Sequence, residues 1–461
     1  MQLTAPSFLF IAFPIFTAMY AIVPKSSKKL ALAAFCPLVY MLANIYNPFA
    51  LIFLVLTVTA VYFGTKWIDM LRGPRRTAVA AVFISVLVET FVLLRVFSSF
   101  GLELGGIKYP FGASVWLLCA ISCIIDVKRG DAPPPTPIDA VLYISYFPVM
   151  LVGPIVKYRD SLGLFRTPEL SLDKLARGAE YFMLGIVKIF AITLPLLDIL
   201  KAISENIEMG IGVLAVIEFI FLINICVYSA FSGYSDMASG VSLIWGIELP
   251  KNFARPFTAA SPLEFIKTFM ITLYDYISEY LFLPLAGRKK GKLRCALAFV
   301  ACFVAVGFWF RSSLFMPVFA LACSAVLAAF FVRPHSSRTA PTALRIFGYV
   351  LTPILTALFW SIAVMSAGAP DLDLIVKIFE SFGRPGSISV LGGVSAEKYI
   401  FILLCAVFTI LISDGGSDDH KKSTSAKKII SNGILLLIFV CTVFFIFPQY
   451  PQVGSFLPFM L

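Results

Sequence analysis

Apolar runs long enough to cross a bilayer recur along nearly the whole chain, at residues 7–23, 30–46, 49–64, 79–94, 112–125, 140–156, 179–199, 213–230, 295–310, 314–332, 348–365, 399–412 and 433–447. Hydrocarbon offers no partner to a free backbone N–H or C=O, so segments of this kind survive there only as helices or closed barrels. Runs of this length and continuity indicate helices. The expected fold is therefore all-α, a polytopic membrane protein with about ten to twelve spans at roughly 20 apolar residues each. Composition closes off a soluble enzyme: 59% of the 461 residues are hydrophobic and 14% charged, whereas a soluble domain carries roughly 25% charged residues.

The formal charge of +11 does not point to nucleic acid, because Lys and Arg concentrate in short segments between apolar runs, at 25–29, 72–76, 288–294 and 413–428. Such clusters orient a membrane protein with its basic loops in the cytoplasm and in contact with anionic membrane lipids. The first apolar run precedes its positive charges, which argues for a retained span rather than a cleaved signal peptide, with Lys25 to Lys29 on the cytoplasmic side. The 9 cysteines sit in or beside apolar stretches without C-x-x-C spacing, so they read as small hydrophobes and support neither disulfides nor a metal site.

Three stretches depart from plain spans. Pro148, Gly153 and Pro154 interrupt an apolar context and indicate a broken or re-entrant helix shielded by protein. Residues 248–287 mix apolar positions with Lys251, Arg255, Glu264, Lys267, Asp275 and Glu279, as expected of interfacial or core helices. Residues 371–382 set Leu374, Ile375, Ile378 and Phe379 opposite Lys377 and Glu380, the pattern of an in-plane amphipathic helix. No fixed-period repeat or linker divides the chain, so one domain over 1–461 is expected.

Read in order, PFGASVWLLCAISCIIDVKRG (110–130), YISYFPVMLVGPIVKYRD (143–160), FSGYSDMASG (231–240), LPKNFARPF (249–257) and SPLEFIKTFMITLYDYISEYLFLPLAG (261–287) resemble the motifs of the membrane-bound O-acyltransferase family. The opening span adds to the resemblance, which is closest to the bacterial branch containing alginate O-acetylase and the teichoic-acid D-alanyl transfer protein. It implies transfer of an acyl group from a thioester donor, acyl-CoA or acyl carrier protein, onto a polysaccharide or teichoic-acid hydroxyl. It also implies a multi-pass protein of the cell membrane, commonly working beside an extracytoplasmic acyl-transfer partner. No bound cofactor or metal is expected.

The same resemblance exposes a gap. The attacking hydroxyl must lose a proton, and a positioned base contributes roughly 10²–10⁴-fold to such a step. Where the family has a Trp-His-Gly element this chain reads GFWF, so Trp309 is kept and Phe310 stands in the histidine's place. Where the family reads WRRWHISL this chain reads IKTFMITL, so Met270 stands at the second histidine. Ala230 replaces the acidic residue that commonly precedes FSGYSD. The two histidines of the chain, His335 and His420, lie in charged loops, and none falls between residues 7 and 332.

Asp236 is the carboxylate to test first as a substitute base, because a charge at membrane depth is costly and usually paired or in a wet cavity. The competing reading gives Ser232, Tyr234, Ser235 and Asp236 a helix-cap or network role. Gly233, Asn252 and Pro256 resemble core positions of the family. Glu264, Asp275 and Glu279 are further possible bases, more simply read as exposed interfacial carboxylates. Lys188 and Glu218, inside apolar runs, pair or snorkel. Lys157 and Arg159 serve either an anionic group or membrane orientation. Two functions stay open: a catalytically impaired or non-standard acyltransferase, and a non-catalytic scaffold or acyl- and lipid-handling partner.

Overall fold

The computed structural model describes residues 11–99, 110, 112–150, 152–166, 168–205, 212–259, 262–287, 291–310, 380, 396–413 and 425–450. The expected segments 314–332, 348–365 and most of 371–382, together with His335 and His420, lie outside them. Among the described residues the secondary structure is helical apart from one isolated bridge. Five helices there are long and apolar enough to cross a membrane: Pro48–Met70, Gly73–Leu94, Leu172–Ile203, Val216–Ile244 and Ile430–Gln449.

The chain forms two compact units, Met1–Phe182 with Tyr234–Pro250, and Met183–Gly233 with Lys251–Leu461. The first contains α1 (Phe13–Ile22), α2 (Lys28–Ala43), α3 (Pro48–Met70), α4 (Gly73–Ser99), α5 (Ala113–Arg129), α6 (Pro137–Ser145) and α7 (Tyr158–Arg166). Helix α5 is its core: it is buried on nearly every side, and α3, α4, α6 and α7 all neighbour it. By contrast α3 and α4 present Leu56, Phe63, Val82 and Val86 outward, as lipid-facing helices do. Trp245 gathers a second core, its Nε1 donating to Thr17 Oγ1 at 3.0 Å and its carbonyl accepting from the Tyr20 hydroxyl at 3.2 Å. Phe16, Phe35 and Phe147 surround its ring at centroid distances of 5.0, 5.9 and 5.7 Å. Thr136 caps α6 by accepting from the Asp139 amide at 3.2 Å, with Pro137 in the first turn where a missing N–H costs nothing.

Two long helices contribute to each unit: α8 (Leu172–Ile186) and α10 (Gly212–Ile244). After α8 the chain passes through a π-helical segment, Val187–Thr193, into α9 (Leu194–Glu205). The second unit continues with α11 (Pro262–Thr268), α12 (Ile271–Ile277), a π segment Ser278–Phe282, α13 (Leu283–Ala286), α14 (Lys292–Phe310), α15 (Ala396–Ser413) and α16 (Ser425–Cys441). Its core brings Leu196 and Ile199 of α9, Leu222 and Cys226 of α10, and Ile402 and Cys405 of α15 together. Leu435 of α16 fills a smaller cluster with Leu184, Val187 and Ala191. Short helices occupy 262–286, the stretch read from the sequence as interfacial or core helices rather than a lipid-facing span.

One expectation is corrected. Ser232, Tyr234, Ser235 and Asp236 do not cap a helix end: they lie inside the 33-residue α10, which runs on to Ile244. At 1.5 Å per residue it is roughly 50 Å long. The motif stays helical because its small residues permit close packing. In the first unit, a Cβ on Gly240 would lie 2.6 Å from the Phe182 nitrogen and 2.7 Å from the Gly178 carbonyl oxygen. In the second, a Cβ on Gly233 would lie 3.0 Å from Lys188 Cβ and 3.2 Å from the Gly185 oxygen.

Candidate functional site

In the first unit the described residues of 146–157 are irregular and almost wholly buried, as the prolines and glycine indicated. Helix α6 stops at Ser145, a 3-10 turn spans Phe147–Val149, and the backbone then extends to α7. Gly153 is required by close approach, since a Cβ there would sit 2.4 Å from Val149 Cα. Irregular backbone at this depth needs hydrogen-bond partners, and α5 and α6 supply them. Tyr143 donates its hydroxyl to the Val156 carbonyl at 2.8 Å; Ser122 Oγ accepts from the Tyr158 amide at 2.8 Å; Asp126 Oδ2 accepts from the Arg159 amide at 3.0 Å. Ser122 and Asp126 thus satisfy the exposed amides at the start of α7, where the helix dipole also favours the Asp126 charge. Tyr146 donates to Ser242 Oγ at 2.8 Å, tying the break to the end of α10.

Tyr234 and Asp236 belong to this unit too, the first buried and the second half-buried. Lys157 is half-buried. Arg159 faces carboxylates, with Asp131 at 3.8 Å and Asp160 at 3.6 Å, an arrangement that neutralises it locally.

The second unit holds Ser232, Gly233, Asn252, Pro256, Met270, Trp309 and the end of α14. Residues 252–254 run antiparallel to 268–272: Ala254 donates to the Thr268 carbonyl at 3.0 Å, Ile271 to the Asn252 carbonyl at 2.7 Å, and Phe253 and Phe269 form a bridge. Asn252 Oδ1 accepts from both the amide (3.3 Å) and the hydroxyl (2.7 Å) of Thr272. Held in this corner, Met270 is 3% exposed and takes φ 56°, ψ 59°. A non-glycine residue in left-handed geometry costs of order 1–3 kcal/mol and persists where its surroundings over-determine it. Pro256 opens a 3-10 turn directly after Arg255, the other left-handed non-glycine residue among those described.

Facing this corner, α10 sets the Tyr228 ring 5.8 Å from Phe253 and 5.0 Å from Phe257, and the Phe231 ring 6.2 Å from Phe269. The Lys188 ammonium lies 5.6 Å over the Tyr228 ring. Lys188 does not snorkel; it is fully buried, on a π segment of the kind often found at functional sites. Glu218 is buried beside the Tyr399 hydroxyl. Glu264 and Asp275 are exposed as expected, whereas Glu279 is half-buried. Ala230 is buried. Trp309 is half-buried and Phe310 ends α14.

The all-α architecture with apolar spans, a shielded broken helix and a corner of short helices defines a polytopic membrane protein whose motif residues are interior. The chain belongs to the membrane-bound O-acyltransferase family, whose model matches residues 43–367. It is 30% identical over 292 residues to a probable alginate O-acetylase AlgI of Pseudomonas fluorescens, covering 62% of this chain and 57% of that relative. The corresponding protein of Pseudomonas aeruginosa is 27% identical over 402 residues, 82% of this chain and 74% of the relative. A teichoic acid D-alanyltransferase of Bacillus subtilis is 26% identical over 214 residues, 43% of this chain and 53% of the relative. The chain thus spans little more than half the length of the first of these relatives. It is a multi-pass protein of the cell membrane.

Proposed function

We propose that this protein takes part in acylating cell-envelope or exported-polysaccharide hydroxyls, with the histidine-dependent step of its family disabled. In the reaction of such a site a hydroxyl oxygen attacks the thioester carbonyl, the C–S bond breaks, the thiolate leaves, and the hydroxyl proton passes to a base. The observation that carries the reading is Met270. A buried, backbone-strained corner is maintained at a family histidine position by a side chain that takes no proton. Phe310, at the other position, has no basic atom either. The donor is an acyl thioester on CoA or carrier protein, and the acceptor a polysaccharide or teichoic-acid hydroxyl, reached with an extracytoplasmic partner protein. Asp236, half-buried inside α10, is the carboxylate whose substitution tests whether another base has taken over.

A second reading is a non-catalytic scaffold or acyl-handling partner of an envelope-modification system, favoured because Phe310, Met270 and Ala230 all depart from the family together. Polymer-bound acyl groups, released by mild alkali and quantified in cells with and without the gene, test involvement. Loss of the chain is expected to lower the acyl content, and Phe310→Ala to keep it at the wild-type level. Unchanged acyl content on deletion contradicts a role in envelope acylation.

A further inference from the structure

Besides Glu218, which lies beside the Tyr399 hydroxyl, three polar side chains of the second unit are buried with atoms that have no hydrogen-bond partner among the described residues: Ser229 Oγ, Ser232 Oγ and Asn252 Nδ2. Their residues are 1%, 0% and 3% exposed. Buried donors of this kind are normally satisfied by protein, water or ligand. Helical periodicity puts the two serines on adjoining faces of α10, and the contact of Tyr228 with Phe253 brings the stretch that carries Asn252 to that helix. Ser232, four residues from Tyr228, shares the face whose rings meet Phe253 and Phe257. Ser229 lies between Cys226, whose Sγ is 3.7 Å from the Thr193 carbonyl oxygen, and Gly233, which abuts Lys188. It therefore sits on the seam with the π segment. The Asn252 amide is oriented by its acceptor atom: the Thr272 N–H must meet Oδ1, which leaves Nδ2 as the unused end.

We propose that Asn252, Ser232 and Ser229 form the polar end of a site that binds the carbonyl of an acyl thioester or ester. The unused groups include N–H and O–H donors, so the ligand must bring an acceptor. The rings of Tyr228, Phe231, Phe253 and Phe269 beside them suit an apolar acyl chain better than a hydrated ion. The Lys188 ammonium over Tyr228 adds a positive potential that favours a polarised oxygen. The site rests on the acyl-handling reading above and explains how a chain without the family histidines still engages an acyl group: it holds the carbonyl without supplying a base.

The test uses the full chain in lipid nanodiscs and a ketone analogue of a short acyl-CoA. This analogue keeps the carbonyl, has a methylene between carbonyl and sulfur so that it is not cleaved, and carries a diazirine on the acyl chain. Photolabelling is expected on peptides containing residues 228–233 or 252–272. Ser232→Ala deletes a hydroxyl that bonds to no described residue, so the unliganded melting temperature is expected not to fall. Asn252→Asp keeps an acceptor for Thr272 and removes the N–H donors. Each variant is expected to weaken labelling by about fivefold or more, the loss of one hydrogen bond; should Asn252→Asp fail to fold, Ser232→Ala carries the test. Undiminished labelling of these peptides in Ser232→Ala overturns the proposal, the hydroxyl then meeting only water. Labelling confined to other peptides also overturns it and leaves the acyl-handling reading standing, whereas no labelling anywhere removes both.

Discussion

Of the Asn252 side chain, Oδ1 alone holds the Met270 corner, accepting from the amide and hydroxyl of Thr272. Asn252→Ala is expected to lower stability by about 1–3 kcal/mol, the cost of leaving a buried donor unsatisfied. Unfolding in detergent micelles reads this directly. A second residue-scale prediction concerns Asp139. Burial alone would raise its pKa, but the hydrogen bonds from Lys29 and Thr136 and the Lys29 charge together hold the carboxyl below its ordinary value of 3.8. A depressed carboxylate stabilises the fold above the unfolded-state pKa and loses that contribution as pH falls through the folded value. Asp139→Asn is therefore expected to destabilise the protein near neutral pH, with the gap to wild type closing on acidification; a gap independent of pH would contradict the pairing. At this scale the sequence located Met270 but carried no sign of its left-handed backbone, because methionine has no preference for that region. The structural role of Asp126 was equally hidden, since its partner, the Arg159 amide, is 33 positions away.

Helices α8 and α10 meet through glycines, and the consequences differ by position. Gly240→Ala would drive a methyl into the backbone of Phe182 and Gly178; overpacking of this sort costs about 1–3 kcal/mol or more. Gly163, inside α7, has nothing within 4 Å of its Cβ position, so Gly163→Ala is expected to stabilise by about 0.5–1 kcal/mol through helix propensity alone. Thermal unfolding of the two variants side by side checks the contrast. Hydropathy revealed most elements because a membrane helix must be apolar, and Pro148, Gly153 and Pro154 revealed the break because they disrupt helical backbone. It ended the α10 run at Ala230, since Ser232, Gly233, Ser235 and Asp236 depress hydropathy without ending a helix. The π segment at Val187–Thr193 also left no compositional trace: it is a change of hydrogen-bond register within an apolar run.

For the whole molecule, the order of motifs along the chain was more informative than any one of them, and it led to the family whose model matches residues 43–367. What the motifs could not convey is which interior groups have no partner among the described residues, because that depends on atoms brought together from α10, the 252–257 stretch and α12. The proposed function is acyl handling without the histidine-driven proton transfer of the family. Its most direct test is thioester consumption by the purified chain with acyl-CoA and polysaccharide acceptors, comparing wild type with Asp236→Ala. The expected result is no turnover above buffer in either protein. Clear wild-type turnover abolished by Asp236→Ala would contradict the account and identify a carboxylate-based acyltransferase instead.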